Sequence, residues 1–296
     1  MKYDIVIIGA GPSGLALAHY LSNLNIKILI IDREKTIGGC HRVRRVNNIF
    51  TEHGPRIYSD TFVVFIQILE ELNIDFKEFF VEYRFKLSEI GNQTINKVIS
   101  RRELLLLGKE FIKLIFNNNY GININLEDYL INNNFKDDSI DIINRICKLS
   151  DGGGIDKYTL NEFLELLNQQ FSHVLYQPKV PNDIGLFKIW QDYLENKGVD
   201  FYLDTNITDI RVIKNKIEYI DTKDIRIFGD KYIFAIPPIN LNNIIETFNL
   251  DHNWGDIKKY AEDTAYFDYI SVTFHWDTEL ELPKVYGFPK SSWGCN

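Results

Sequence analysis

The sequence has few cysteines and no excess of basic residues. Its three cysteines, Cys40, Cys147 and Cys295, have neither the paired spacing of a disulfide framework nor the close spacing of a metal site. We therefore expect a reducing compartment, the cytoplasm, and no structural metal. The formal net charge is −8, whereas general binding to a phosphate backbone requires a basic surface. No nucleic-acid partner is expected.

Long apolar runs are also missing. The longest apolar stretches, such as 62–69 and 104–107, are much shorter than the roughly 20 residues that a membrane span requires. The N-terminus leads directly into a short strand and lacks the charged region and apolar core of a signal peptide. We expect no membrane span. With 296 residues, 45% of them hydrophobic, the chain can bury the core of two interleaved domains.

The first 31 residues contain a strand, a helix and a second strand. The apolar runs Tyr3–Ile8 and Lys27–Ile31 predict the strands, and helical spacing predicts a helix over Pro12–Leu24. Gly9-Ala10-Gly11-Pro12-Ser13-Gly14 joins the first strand to the helix. This is a G-x-G-x-x-G motif in the strand-to-helix context that gives the motif its meaning.

Each part of this motif has a physical role in binding a dinucleotide. Gly9 permits the tight turn, Gly11 lets the backbone approach a diphosphate, and Gly14 lets the helix pack on the strand. The helix begins at Pro12, and its N-terminus offers the N–H groups from Ser13 onward and a positive dipole end to the phosphates. The combination favours a dinucleotide site over a glycine turn without a ligand.

An acidic residue follows the second strand. Asp32, with Arg33 beside it, lies eighteen residues after Gly14, where a carboxylate accepts hydrogen bonds from a ribose 2′-hydroxyl and repels a 2′-phosphate. Gly38-Gly39 follows six residues later.

These segments, "IVIIGAGPSG" and "LIIDREKTIGG", resemble the amine oxidase and phytoene desaturase superfamily of FAD enzymes, to which protoporphyrinogen oxidases and UDP-galactopyranose mutases are similar. In that superfamily the acid, a five-residue spacer and Gly-Gly place a second backbone turn near the ribityl and phosphate region of FAD. The resemblance therefore implies FAD as the cofactor, with Gly38 and Gly39 at that turn.

Two later segments extend the resemblance, which covers about 1–75 and 180–240. "FTEHGPRIYS" is similar to the segment that passes beside the flavin, which implies close approach at Gly54 and Pro55. "GVDFYLDTNITDI" and "DKYIFAIPP" resemble the strands with which the chain returns to the cofactor domain. This resemblance implies that a backbone group of Ile207 meets the adenine.

The sequence departs from the family at two places. Many relatives carry arginine directly after Gly-Gly to meet the diphosphate, whereas this chain has Cys40, followed by His41 and Arg42. Arg42 is either a replacement for that arginine or a solvent-exposed side chain. Relatives are usually longer, and their last third carries a segment that meets the flavin. The chain is thus expected to be incomplete at its C-terminus, as a fragment or a shortened relative.

The rest of the chain predicts a helical insertion. Ser59-Asp60 caps a helix, a small antiparallel sheet reaches about Ser100, and residues 38–55 form a loop over the cofactor. Further helices are predicted over Arg101–Phe116, Leu126–Asn133, Ser139–Leu149, Lys157–Gln170 and Ile184–Asn196. Further strands are predicted over Phe201–Leu203, Ile207–Ile213, Lys216–Ile220, Asp224–Phe228, Lys231–Ile236 and Tyr269–Trp276.

The predicted fold class is α/β: a Rossmann-like FAD-binding domain, with a parallel sheet, helices on both faces and a small antiparallel sheet, carrying an inserted, largely helical substrate domain. The FAD-binding domain comprises 1–75 and 180–250, and the substrate domain 76–179 and 251–296.

The resemblance implies an FAD-dependent oxidoreductase that takes a hydride equivalent from a C–N or C–C bond of a small amine or apolar substrate. The electrons pass to oxygen or another acceptor. Two alternatives remain open: a flavin-dependent isomerase like UDP-galactopyranose mutase, or a truncated, catalytically inactive dinucleotide-binding protein. The sequence assigns no catalytic residue.

Overall fold

A computed structural model describes residues 2–52, 54, 56–82, 89–90, 93–94, 98–172, 174–250, 254–264, 266 and 272–278. The strands are β1 (Lys2–Ile8), β2 (Ile28–Ile31), β3 (Val43–Val46), β4 (Ile49–Glu52), β5 (Tyr58–Ser59), β6 (Phe80–Glu82), β7 (Glu89–Ile90), β8 (Gln93–Thr94), β9 (Leu175–Pro178), β10 (Asp200–Tyr202), β11 (Ile207–Ile213), β12 (Lys216–Thr222) and β13 (Arg226–Phe234). The helices are α1 (Pro12–Leu21), α2 (Val63–Glu71), α3 (Phe76–Phe79), α4 (Arg101–Phe116), α5 (Leu126–Asn132), α6 (Asp137–Asp151), α7 (Leu160–Ser172), α8 (Leu186–Asn196), α9 (Pro238–Thr247) and α10 (Ile257–Asp263).

A six-stranded sheet organises the molecule, in the order β10-β2-β1-β13-β12-β11. The first four strands in this order run parallel, and β11, β12 and β13 form an antiparallel meander. Ile8 at the end of β1 pairs with Ile31 at the end of β2 and with Phe234 at the end of β13. The carboxyl ends of these strands therefore meet at one edge, where ligands of open α/β sheets bind.

Both faces of the central strands are buried, which explains their nearly continuous apolar sequence. On one face, Ile7 and Ile30 pack with residues of α1 and α8, including Leu15 and Trp190. On the other face, residues of β1 and β2 pack with the meander, and α9 contributes partly buried side chains. The predicted fold class is confirmed, with the difference that the meander shares the second face with a helix.

The helices α4 to α7 enclose a separate core. Its fully buried members include Leu126, Leu130 and Phe163. The chain runs from the core beside α1, to which α2 and β6 still contribute Leu69 and Phe80, into these helices and returns through β9, which pairs with both β5 and β6. This small sheet therefore joins the outgoing and returning segments.

Four local predictions are wrong. Residues 38–55 are not a loop throughout, because β3 and β4 form a hairpin whose turn residues Asn47 and Asn48 have φ of 51° and 68°. Asparagine tolerates this left-handed conformation, and a two-residue turn of this kind matches the strand twist. The missed signal is Asn-Asn between the valine and isoleucine that end the strands.

The two strands predicted between 224 and 236 are one strand, β13. Gly229-Asp230 resembles a turn in sequence, but Gly229 pairs with Tyr3 of β1 and the ladder continues to Phe234. Parallel pairing with β1 thus overrides the local turn signal.

The other two corrections concern helix and strand ends. Ser59-Asp60 does not cap α2: the Ser59 side chain accepts a hydrogen bond from the N–H of Thr61, and Phe62 is the N-cap residue without a side-chain bond. Residues 272–276 of the predicted strand have no regular secondary structure, and 269–271 lie outside the described residues.

Candidate functional site

A cleft of about 1240 Å³ lies where the carboxyl ends of the parallel strands meet. It is larger than the roughly 300–1,000 Å³ typical of pockets for drug-sized ligands. Its walls include the loop after β1, the residues after β2 and the first residues of β11. The sheet topology therefore brings together segments that precede and follow the helices α4 to α7 in the chain.

The glycine turn after β1 is shaped by its backbone. Gly9 has φ +112°, and a side chain there would overlap the carbonyl oxygen of Ala235. Gly11 is the N-cap of α1, makes no side-chain cap bond, and is followed by Pro12. A methyl group on Gly14 would overlap the Gly9 carbonyl oxygen, so the close helix–strand contact depends on glycine. The first turn of α1 thus has N–H groups that no side chain caps.

A second glycine turn packs directly on the first. The Gly38 N–H donates to the Ala10 carbonyl oxygen over 2.8 Å. Gly39 has φ +55°, and a Cβ atom there would lie 2.9 Å from the Cα atom of Gly11. Because the two backbones touch without side chains between them, they form one continuous strip of main chain in the cleft.

Asp32 lies beside this strip. Its Oδ2 atom accepts a hydrogen bond from the Ala10 N–H over 2.8 Å, and its Oδ1 atom accepts one from the Glu34 N–H over 2.9 Å. Each carboxylate oxygen can accept a further bond. The side chain is 11% exposed, so this remaining capacity faces the cleft, which Asp32 lines.

The arginines have different environments. Arg42 lines the cleft with a side chain only 15% exposed, and its Nη2 atom lies 3.7 Å from Oδ1 of Asp32. Arg33 and Arg44 are exposed and also line the cleft. Arg45 instead forms a two-point ion pair with Asp183. Arg42 is therefore a partly buried cation beside the predicted ribose position.

The second glycine turn and the β3–β4 hairpin carry ionisable groups in or next to the cleft. Cys40 and Glu52 line it. Burial raises the pKa of the half-buried Glu52 carboxyl, although the backbone N–H of Asn182 favours its ionised form. His41 Nδ1 lies 3.1 Å from the Tyr58 hydroxyl, and burial, with the nearby Arg56 charge, lowers the pKa of His41 to about 4. His41 is thus neutral near pH 7.

The predicted site residues divide into two groups. Most line the cleft: Gly9, Gly11, Pro12, Ser13, Asp32, Arg33, Gly39, Arg42 and Ile207. Gly14 and Gly38 are buried behind the turns and shape them. Gly54 is described but does not line the cleft, and Pro55 lies outside the described residues.

Sequence reasoning missed one wall of the cleft. Five residues of α9 and its C-cap line it: Asn240, Asn243, Ile244, Thr247 and Phe248. Their spacing of three and four residues places them on one helix face. The signal available in the sequence was this period after Pro237-Pro238, a pair that favours a helix start.

No helix in the described ranges is long and apolar enough to cross a membrane. Among the same residues, no three His, Cys, Asp or Glu side chains are grouped so that they could hold a metal ion.

A model of a known family matches the part of the chain that contains both glycine turns. Residues 7–72 match the model of the NAD(P)-binding Rossmann-like domain. UDP-galactopyranose mutase of Mycoplasma genitalium is 32% identical over 134 residues, which are 42% of this chain and 32% of the mutase. The chain thus spans about a third of that relative.

Solved structures show the same fold. Putrescine oxidase has a TM-score of 0.60 and 17% identity, with 82% of this chain and 60% of that chain covered. An oxidoreductase from Methanosarcina mazei has a TM-score of 0.63 and 15% identity, with 88% and 64% covered. These likenesses show the fold that the predicted resemblance implies. The chain spans less than two thirds of each of these proteins.

Proposed function

We propose that this chain binds FAD in the cleft and provides the dinucleotide-binding part of an oxidoreductase. The observation that carries the proposal is the contact between the two glycine turns, Gly9–Gly11 and Gly38–Gly39, with the Asp32 carboxylate beside them. The proposal also rests on the shared fold of putrescine oxidase and on the family resemblance of the Gly-Gly turn.

The residues present fit the ADP half of FAD. The uncapped N-terminus of α1 suits a diphosphate, because its N–H groups and dipole both favour negative charge. The absence of a Cβ atom at Gly11 and Gly39 leaves the backbone open to close approach. The free acceptor capacity of Asp32 suits ribose hydroxyls and disfavours a 2′-phosphate, which supports FAD or NAD over NADP.

The flavin, when bound, supplies the capacity to accept two electrons from a substrate C–N or C–C bond. This chain's residues bind and orient it, with Asp32 fixing the ribose and α1 fixing the diphosphate. Glu52 lines the cleft, and burial raises the pKa of its carboxyl group. Its carboxylate oxygens are therefore suited to hold a proton released during oxidation. The substrate class that we propose is a small amine or an apolar molecule, with oxygen or another electron acceptor.

The test is reconstitution followed by reduction. Purified protein is incubated with FAD, NAD or NADP, freed of unbound ligand, and examined for the visible absorbance of oxidised flavin. Candidate amines and apolar substrates are then added without oxygen. Retention of FAD and bleaching by a substrate, reversed by oxygen, support the proposal. Retention of NAD or NADP in place of FAD would contradict it.

A flavin-dependent isomerase acting on a UDP-sugar is the second candidate. The 32% identity to UDP-galactopyranose mutase over 134 residues favours it, and the cleft-lining Arg44 is a cation suited to a ligand phosphate. Binding of UDP-galactose to the reduced protein, but not to the oxidised protein, would favour the isomerase. Indifference to UDP-galactose in both states would exclude it.

A further inference from the structure

Helix α4 (Arg101–Phe116) carries apolar side chains on two opposite faces. The inner face packs into the helical core through Leu107 and Leu114, which are buried. We call the outer face the outer stripe; its large apolar side chains, each between 38% and 86% exposed, are Leu104, Leu105, Ile112, Ile115 and Phe116. A side chain at Gly108, in the middle of the stripe, would meet no atom within 4 Å. Because contiguous exposed apolar surface marks an interaction site, the outer stripe is expected to have a partner.

The charged residues of α4 are divided by sign between its two faces. All of α4 is described, and its only acidic residues, Glu103 and Glu110, are 1% and 6% exposed. Arg101, Arg102 and Lys109 are exposed instead. The exposed surface of α4 is therefore apolar with a basic border, although the whole chain has a net charge of −8. Since salt screens charges beyond roughly 8 Å, a partner at the outer stripe meets mainly this local positive charge.

These charges favour an anionic partner over a second copy of the chain. Lys109 lies close to the middle of α4, so two antiparallel copies paired along the stripe would place their Lys109 side chains next to each other. Parallel copies would oppose Arg101 and Arg102 as well. Like charges that face each other across an interface cost several kcal/mol. The self-pairing of α4 is therefore disfavoured.

The shape of α4 favours a lipid surface. A single exposed helix is a ridge, whereas docking of a helical peptide requires a groove. Its 16 residues extend over about 24 Å, which is shorter than the roughly 30 Å of bilayer hydrocarbon. Helices with an apolar face and basic residues lie in the plane of the membrane interface and bury the apolar face about 5–10 Å deep. The stripe and its border have this arrangement.

We infer that the outer stripe of α4 docks the protein on the surface of a membrane that contains anionic lipids. Leu105, Ile112 and Phe116 enter the headgroup layer, and Arg101 and Lys109 meet lipid phosphates and carboxylates. The inference is independent of the proposed FAD binding, because α4 lies in the helical core and lines no part of the cleft.

The experiment measures co-sedimentation of the full chain with two kinds of vesicle, phosphatidylcholine alone and equal parts phosphatidylcholine and phosphatidylserine. The test variants are the double variant Leu105→Gln with Ile112→Gln, and the charge variant Lys109→Gln. The matched control is the double variant Leu24→Gln with Ile213→Gln, which removes an exposed leucine and an exposed isoleucine outside the helical insertion. Thermal unfolding checks that each variant is folded, and sedimentation velocity without lipid measures the oligomeric state.

We expect the unaltered chain to bind the anionic vesicles roughly tenfold or more tightly than the neutral vesicles, because each basic residue near the surface contributes about 1 kcal/mol. The double variant in α4 should bind roughly 100-fold more weakly, whereas the control should bind like the unaltered chain. Lys109→Gln should weaken binding to the anionic vesicles about fivefold and leave binding to the neutral vesicles unchanged.

The inference is overturned if the unaltered chain does not sediment with the anionic vesicles, or binds both kinds of vesicle equally. Equal binding by the folded double variant and the unaltered chain would overturn it as well. A dimer of the lipid-free chain that the double variant abolishes would identify a second copy as the occupant of the stripe and would also contradict the inference.

Discussion

The carboxylate of Asp32 accepts a hydrogen bond from the backbone N–H of Ala10 over 2.8 Å. This bond ties the end of β2 to the turn that follows β1, so Asp32 both fixes the turn and presents its remaining acceptor capacity to the cleft. Because its two oxygens accept two different backbone N–H groups, loss of the carboxylate is expected to weaken both the turn and ligand binding.

The substitution Asp32→Asn tests this. Asparagine keeps the size of the side chain, but hydrogen bonds to a charged acceptor are worth roughly 1.5–3 kcal/mol, so we expect a rise in the FAD dissociation constant of about 10- to 100-fold. Asp204→Asn, a change at an exposed neighbouring carboxylate, serves as the control. An Asp32→Asn variant that binds FAD as tightly as the unaltered chain would remove the ribose assignment.

The glycines of the first turn separate ligand binding from folding. A Cβ atom at Gly11 would lie 3.6 Å from the Gly39 Cα atom, an ordinary contact, so the fold should accept Gly11→Ala. The added methyl group narrows the approach of the diphosphate. If it removes the equivalent of two hydrogen bonds, roughly 3 kcal/mol, the dissociation constant of FAD rises about 100-fold.

Two other glycine variants serve as comparisons for Gly11→Ala. Gly14→Ala places a methyl group on the Gly9 carbonyl oxygen and is expected to lower the thermal unfolding midpoint strongly. Gly108→Ala meets no atom within 4 Å inside α4 and should stabilise the protein by roughly 0.5–1 kcal/mol. A Gly11→Ala protein that is folded and retains full FAD affinity would contradict the diphosphate position.

Acid should weaken the helical insertion through Glu103. Burial alone would raise its pKa, but hydrogen bonds from Ser100, the Lys136 N–H and Ser139 outweigh it and lower the pKa of Glu103 to about 2. A folded-state pKa below the unfolded value stabilises the fold above about pH 4.5, and this contribution is lost as the pH falls toward 2.

Urea unfolding of Glu103→Gln and of the unaltered protein measures the effect. The variant should be less stable by roughly 1–3 kcal/mol near neutral pH, and the difference should shrink in acid. Glu70→Gln, at an exposed carboxylate, should show no such dependence. If the free energy of unfolding differs between Glu103→Gln and the unaltered protein by the same amount at every pH, the buried hydrogen-bond network around Glu103 is contradicted.

His41 is expected to make the stability of the fold depend on pH. Its pKa is lowered to about 4 from 6.5, so the folded protein binds the proton less readily than the unfolded chain. Stability should therefore fall as the pH decreases from about 6.5 to about 4, and His41→Gln should remove this part of the loss. Nuclear magnetic resonance of the imidazole ring should find it neutral at pH 6. Protonation of the folded-state ring at or above that pH would contradict its buried position.

The elements around the first glycine turn were predictable from the sequence because local patterns determine them. The structure contains the predicted strands β1 and β2 and the turn at Gly9–Gly14, all of which need only short-range signals. The helix predicted over Pro12–Leu24 is observed as Pro12–Leu21, followed by a 3-10 turn. The helix Arg101–Phe116 was predicted with its observed bounds, which agrees with its strong capping box at Ser100.

Features that depend on distant contacts were harder to predict. Gly229 lies inside β13 only because β1 pairs with it, and the wall formed by α9 faces the cleft only because the meander and the sheet place it there. Arg42 also needed the fold, since its position beside Asp32 follows from the Gly38–Gly39 turn between them. Short-range periodicity contains no information about such pairings.

Calorimetric titration of the purified chain with FAD, NAD and NADP, in parallel with the Gly11→Ala variant, tests the central claim most directly. The account predicts that one FAD binds per chain, that NADP binds much more weakly, and that Gly11→Ala loses FAD affinity while remaining folded. Binding of NADP in preference to FAD, or no loss of FAD affinity in Gly11→Ala, would contradict it.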